Sequence, residues 1–157
     1  MLKLISFKQS PGFCGPASLK IVLNFFGINL SEAQLAELTK CKKTGGTKAE
    51  FLLKAAKSLG FKGFIKDFCK IKDIKEYVIK KKIPVIVDWF SVDDGHYSVV
   101  AHIDKENIYL QDPEFGKLHK IKIKKFKRVW FDFPGNYLKS KNDIIIRRMI
   151  VIHDEII

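Results

Sequence analysis

Gln9-Ser10-Pro11-Gly12-Phe13-Cys14-Gly15-Pro16-Ala17-Ser18-Leu19 runs from a loop rich in Ser, Pro and Gly directly into an apolar helix pattern, with a thiol at the junction. Ala17, Leu19, Ile21, Val22, Leu23, Phe25 and Phe26 repeat at near-continuous helical spacing until Gly27 stops them, which is the pattern of a buried helix. Pro16 suits the first turn, whose N–H groups have no intrahelical acceptor, and Gly15 leaves room for another chain to approach the sulfur. Open N–H groups and the positive end of the helix dipole favour negative charge at that point, and the thiolate is the nucleophilic form of cysteine. A cysteine at a helix start is on its own more often a packing residue. The residues downstream decide the matter.

A cysteine nucleophile needs a base within hydrogen-bond reach and a third group that fixes the tautomer of the base. His96 follows the turn Asp93-Asp94-Gly95 and begins the strand-like run His96-Tyr97-Ser98-Val99-Val100-Ala101, so it stands at a sheet rim. The polar turn Asp104-Lys105-Glu106-Asn107 folds the chain back through Ile108 to Asp112 as an antiparallel hairpin. Asp112 is thereby placed at the same end as His96, within a few residues of being opposite, where cross-strand and diagonal side chains interact. It can accept from one imidazole nitrogen while the other faces Cys14, and Pro113 ends the strand there. Acyl transfer also builds negative charge on the substrate carbonyl oxygen. The Cys14 backbone N–H and the side-chain amide of Gln9, on the loop that wraps the thiol, are the expected donors.

The other candidates carry less. His102 shares the His96 face and admits a metal reading with Asp112, but the ligands would stand about 20 Å apart along the strand at about 3.3 Å per residue. No metal and no cofactor is expected. His119 and His153 read as surface or sheet residues, Cys41 as exposed and dispensable, and Cys69 as packed at a strand end. The odd number of cysteines, without close spacing, suggests neither a disulfide framework nor a Cys-x-x-Cys site.

Around these residues the chain has helices first and strands after. Ser31-Glu32-Ala33-Gln34 is a capping box that opens a second helix to about Lys40, and Thr47-Lys48-Ala49-Glu50 is another that opens a third, closed by Gly60. Phe61 to Phe68 is strand-like, Asp73 opens a helix to about Lys82, and Ile83 to Phe90 is a buried strand. Leu118 to Ile123 adds a strand, Lys124 to Trp130 a short helix, and Ile144 to Ile152 one β-branched final strand, while Leu2 to Phe7 is a short strand or extended arm. The expectation is an α+β fold of two layers on one core, the N-terminal helices packed on a C-terminal antiparallel sheet.

At 157 residues the chain is expected to form one domain, 1–157, with a core large enough to need neither metal nor disulfide. No apolar run reaches the about 20 residues of a membrane span, Met1 to Ile5 is too short for a signal peptide, and a cytoplasmic location follows by default. The formal charge of +12 admits an acidic peptide, an anionic membrane surface or nucleic acid as partner. The lysines are spread over the chain and mixed with Glu and Asp, and no sequence-specific nucleic-acid motif is present. The densest cluster runs from Lys117 to Arg128.

The sequence resembles the double-glycine cysteine peptidases, a papain-like family best known as the N-terminal peptidase domains of bacteriocin-exporting ABC transporters. The match is carried by Gln9, Cys14, Gly15, Ala17 and Leu19, by His96 with Tyr97 and Val99, by Asp112-Pro113, and by Phe126 to Trp130 in place of a short helix. The resemblance implies a papain-like α+β fold in which Cys14 attacks, His96 acts as base and then acid, Asp112 orients His96, and Gln9 lines the oxyanion hole. Gly15 and Tyr97 are the residues it places against substrate. It further implies a thiol protease acting on a leader or flexible peptide after a Gly-Gly-type site, as in bacteriocin processing. With no transmembrane or ATP-binding domain expected after residue 157, any transporter partner is expected to be separately encoded. The alternatives are a non-catalytic peptide-binding module on the same fold and a basic nucleic-acid-binding domain.

Overall fold

A computed structural model describes residues 1–92 and 94–154, so Asp93 of the expected turn lies outside the described residues. The N-terminal helices are α1 (Cys14–Phe25), α2 (Glu32–Leu38) and α3 (Ala49–Ser58). They begin and end for the local reasons the sequence offers. In α2 Ser31 Oγ accepts from Gln34 N at 3.1 Å and the Gln34 side chain accepts from Ser31 N at 2.9 Å, a complete capping box. Gly27 and Gly60 follow α1 and α3 with φ of +87° and +93°, the left-handed stop that glycine adopts without strain. The expected capping box at Thr47 is absent. Lys48 is the N-cap of α3 and makes no side-chain cap, because the Thr47 hydroxyl donates instead to the carbonyl of Thr39.

The chain then forms β1 (Lys62–Lys66), α4 (Ile71–Lys75) continued by a π-helical turn (Glu76–Lys81), β2 (Val85–Ser91), β3 (Asp94–Ile103), β4 (Asn107–Asp112), β5 (Lys117–Lys122), α5 (Ile123–Val129), β6 (Phe131–Asp132), β7 (Ile145–Ile146) and β8 (Arg148–His153). Six strands make one antiparallel sheet in the order β1-β8-β2-β3-β4-β5, and β6 pairs with β7. The fourth helix starts earlier than Asp73, since Asp73 accepts from Lys70 N at 2.7 Å and so serves the first turn from inside it. The expected final strand is two, broken at Arg147, whose φ of +49° turns the chain between β7 and β8. Residues 1–9 form the extended arm, tied by Leu2 N to Ala101 O at 2.9 Å.

The layering differs from the two-layer expectation. One cluster, built from Leu19, Ile21, Leu52, Ile86, Tyr97, Val99 and Ile150, fills the space between α1–α3 and one face of the sheet. A second, with Ile74, Val78, Val87, Trp89, Val100, Leu110, Phe126 and Trp130, lies on the other face beneath α4 and α5. The central strands are therefore covered on both sides, which is why β2 reads as a continuous apolar run rather than an alternation. Among the described residues no helix is long and apolar enough to cross a membrane.

Candidate active site

Three segments converge at one end of β3. The first is the loop before α1. Phe13 N donates to Ser10 O at 3.0 Å, and the Glu32 carboxylate accepts from the backbone N and the hydroxyl of Ser10 at 2.8 and 2.5 Å. Gly12, at φ +82°, passes so close to the neighbouring loop that a Cβ would stand 2.2 Å from Lys43 O. This clamped loop delivers Cys14 as the first helical residue, partly exposed and free of disulfide. Phe13 supplies no side-chain cap, and Ala17 N to Phe13 O at 3.0 Å is the first bond of the helix. The N–H groups of Cys14 and Gly15 are thus left at the open end.

The second and third segments are β3 and β4. Their register pairs Val99 with Gln111 and Val100 with Leu110, which sets Asp112 diagonal to His96 on the same face. His96 Nε2 lies 2.6 Å from Asp112 Oδ1, with His96 only 6% and Asp112 0% exposed. The Glu114 backbone N–H also donates to Asp112 Oδ1, at 3.0 Å, so that oxygen is held from two sides. Burial opposes charge on the imidazole, but hydrogen bonds to Asp112 and Cys14 and the negative charge of both outweigh it and raise the His96 pKa to about 10. With Nε2 committed to Asp112, Nδ1 is the nitrogen left for the hydrogen bond to Cys14. Gln9 is joined to the same strand end, its N–H donating to Pro113 O at 2.8 Å, and its side-chain Oε1 is buried without a partner.

Cys14, His96, Asp112 and Gln9 are brought to one end of the fold. Gly15 and Tyr97 lie one residue further along α1 and β3. Gly15 is buried, and a Cβ there would stand 2.3 Å from the Thr47 methyl and 3.6 Å from the Tyr97 ring. Tyr97 is buried too, its hydroxyl donating to Thr47 O at 3.1 Å. Both residues pack the start of α1 against the sheet. Cys41 is not simply exposed: its Sγ lies 3.7 Å from Gly12 O, and burial first, then the charges of Cys14 and Glu32, push its pKa up to about 11. Cys69 is buried as expected. A bulge between Val100 and His102 breaks the alternation of β3, and His102 sits beside the Tyr109 ring. His96, Asp112 and Glu114 offer atoms within 4.8 Å of one another; Asp112 Oδ1 is engaged by the imidazole and the Glu114 N–H, while Asp112 Oδ2 is buried without a partner.

The sequence reading missed three neighbours. Trp89 pairs with His96 in register, its indole lies edge-on to the imidazole at 6.0 Å, and its Nε1 donates to Ser98 Oγ at 3.0 Å. Its indole packs against the His96 ring, and the strand pairing was the signal that could have found it. Asp88, 1% exposed, and the half-buried Asp132 form a carboxyl pair behind Tyr97. Burial first, then the hydrogen bond and charge of Asp132, push the Asp88 pKa well above the ordinary value, so the pair retains a proton. Asp132 is held by Phe133 N at 2.7 Å, and its carboxylate fills the space over Gly95, where a Cβ would come within 2.0 Å.

A thiol at an open helix end, beside a buried imidazole that a carboxylate holds, is the layout of a cysteine hydrolase. The profile of the peptidase C39 family matches residues 5–133. The chain belongs to the peptidase C39 family. This C39 chain is 35% identical over 133 residues to an uncharacterised protein of Methanothermobacter marburgensis, with 83% of this chain and 84% of that protein covered. It is 33% identical over 119 residues to the transport/processing ATP-binding protein ComA of Streptococcus pneumoniae, with 74% of this chain but 16% of that transporter covered. The solved peptidase domain of Streptococcus ComA, a bifunctional ABC transporter involved in a quorum-sensing pathway, superposes with a TM-score of 0.76 at 25% identity, covering 99% of this chain and all of that one. A double-glycine motif protease from an AMS/PCAT transporter, solved with its leader peptide, shares the fold at a TM-score of 0.73 and 20% identity, with 97% of this chain and 92% of that one covered. The papain-like α+β fold of the double-glycine peptidases is thus the fold of this C39 chain.

Proposed function

We propose that this chain is a cysteine peptidase that cuts a leader or other flexible peptide after a Gly-Gly-type site. The observation that carries the reading is the buried His96–Asp112 contact at 2.6 Å, with Cys14 close enough for its charge and hydrogen bond to raise the His96 pKa. Cys14 Sγ attacks the scissile carbonyl carbon, and its backbone N–H and the Gln9 amide meet the charge that develops on the oxygen. His96, as imidazolium, gives its proton to the departing amine, leaving a thioester on Cys14. Water then adds to the thioester as His96 takes a proton from it, and the peptide acid leaves. Asp112 keeps His96 in the tautomer with Nε2–H throughout. The Gly-Gly specificity and a transporter partner are supported by the printed functions of the relatives, one a transport/processing protein and one a double-glycine motif protease solved with a leader peptide.

The test is incubation of the full chain with synthetic Gly-Gly leader peptides, cleavage being read by mass spectrometry. Wild type is expected to cut after the second glycine, Cys14→Ala to be inert, and Gln9→Ala to lose on the order of 10²–10³ in rate as other oxyanion donors do. Cleavage by Cys14→Ala would overturn the assignment. A folded, thiol-reactive protein that binds such peptides without cutting them would favour the binding-module reading.

A further inference from the structure

The end of the sheet away from Cys14 carries a second site. His96 and Ile103 bound seven residue steps of β3, about 23 Å at 3.3 Å per residue, and the β3–β4 turn beyond Ile103 forms one wall of a cavity of about 890 Å³. Lys105 and Glu106 come from that turn. Lys122 comes from the end of β5, and Lys124, Lys125, Lys127 and Arg128 from α5. Arg147 closes the cavity from the break between β7 and β8. These lining groups comprise seven cations and one carboxylate, and Glu106 is spent on Lys122 at 2.9 Å. Among the described residues the other six cations have no salt-bridge partner.

The walls are fixed before any ligand arrives. Ile123 N donates to Glu106 O at 2.8 Å and holds α5 on the turn, while Arg147 N donates to Trp130 O at 3.0 Å and Trp130 Nε1 to Arg148 O at 2.9 Å, holding the break on the far end of α5. Arg147 reaches its place through a left-handed backbone, φ +49°, a conformation that a branched-free non-glycine residue adopts at a cost of about 1 kcal/mol or more. An arginine lining a cavity of like charges is unfavourable in the empty protein and favourable once an anion occupies it.

We propose that this cavity binds a compact polyphosphate anion. Its volume falls in the range of small-ligand sites, about 300–1,000 Å³. The lining has one aliphatic side chain, Ile123, and no aromatic ring, so it offers no aromatic platform for a run of bases and no aromatic anchor site for a peptide. What it offers is dense positive charge with two guanidinium forks, the donors that match phosphate oxygens two at a time. An acidic peptide or an oligonucleotide would present the same sign of charge spread along a longer backbone.

The test is calorimetric titration of the full chain with tripolyphosphate at about 0.15 M salt, beside a hexaglutamate peptide and a hexathymidylate. One saturable site is expected, with both comparators weaker. The Lys124→Gln/Arg128→Gln/Arg147→Gln variant is expected to lose at least about tenfold in affinity, whereas Lys3→Gln/Lys54→Gln/Lys57→Gln, with the same charge change elsewhere, keeps it. Equal losses in the two variants would reduce the effect to overall charge and overturn the proposal, as would tighter binding of either comparator. Cleavage of Gly-Gly peptides is read on the same samples and stays unchanged, which separates this site from the catalytic one.

Discussion

Replacing Asp112 by Asn removes one buried negative charge while leaving an amide oxygen to accept from His96 Nε2, so it isolates charge from hydrogen bonding. His96 is buried, and its pKa is nevertheless raised from 6.5 to about 10 because hydrogen bonds and charges of Asp112 and Cys14 overcome the desolvation. That displacement is on the order of 5 kcal/mol of preference for imidazolium over imidazole, shared between the two partners. Loss of the Asp112 charge is therefore expected to lower the His96 titration by at least about one unit. The assay is the His96 ring C–H signal followed by NMR against pH in wild type and Asp112→Asn. The same shift has a stability consequence of fixed sign. A histidine whose folded pKa is raised stabilises the fold fully below about 6.5, and that contribution fades as pH climbs through about 10. Asp112→Asn should thus destabilise the protein more at pH 6.5 than at pH 10 in urea titrations. A wild-type His96 that titrates near 6.5, or a variant whose titration does not move, would refute the argument.

Two further predictions concern the frame of the site. Gly12→Ala puts a Cβ 2.2 Å from Lys43 O at a left-handed φ, and is expected to cost about 1–3 kcal/mol in thermal denaturation and to slow any Cys14 chemistry by shifting the loop that carries it; unchanged melting would contradict the clamp. Asp88 holds its proton in the folded protein above the pH at which the unfolded chain releases it, so folding stability should fall as pH rises from about 4, by up to about 1.4 kcal/mol per unit inside that window. Asp88→Asn removes this slope, and its stability relative to wild type should improve between pH 5 and pH 9; a constant difference across that range would show that the pair retains no proton.

The features legible in the sequence were those set by near neighbours along the chain. The first helix with its thiol, the Ser31 box and the hairpin that returns Asp112 to His96 all rest on periodicity, caps and a turn within about 20 residues. What escaped the reading depends on strand pairings far apart in sequence. Nothing local says that β8 lies between β1 and β2, that α4 and α5 cover the face opposite α1, or that Trp89 lands on His96. The break at Arg147 carries no glycine to announce its left-handed backbone. Thr47 looked like a cap because its neighbours fit the pattern, yet its hydroxyl is used across the loop on Thr39. Gly15 and Tyr97 are packed rather than exposed for a similar reason, because the Thr47 loop folds over them.

The most direct measurement of the proposed Cys14–His96 relay is the rate of iodoacetamide modification of each cysteine, followed by mass spectrometry from pH 6 to pH 10. Cys41 and Cys69, both pushed to about 11 by burial first, should remain nearly inert over most of that range. Cys14 is expected to react far faster than either, and His96→Ala is expected to abolish that advantage. A Cys14 that reacts no faster than the other two, or whose rate is indifferent to His96, would contradict the account.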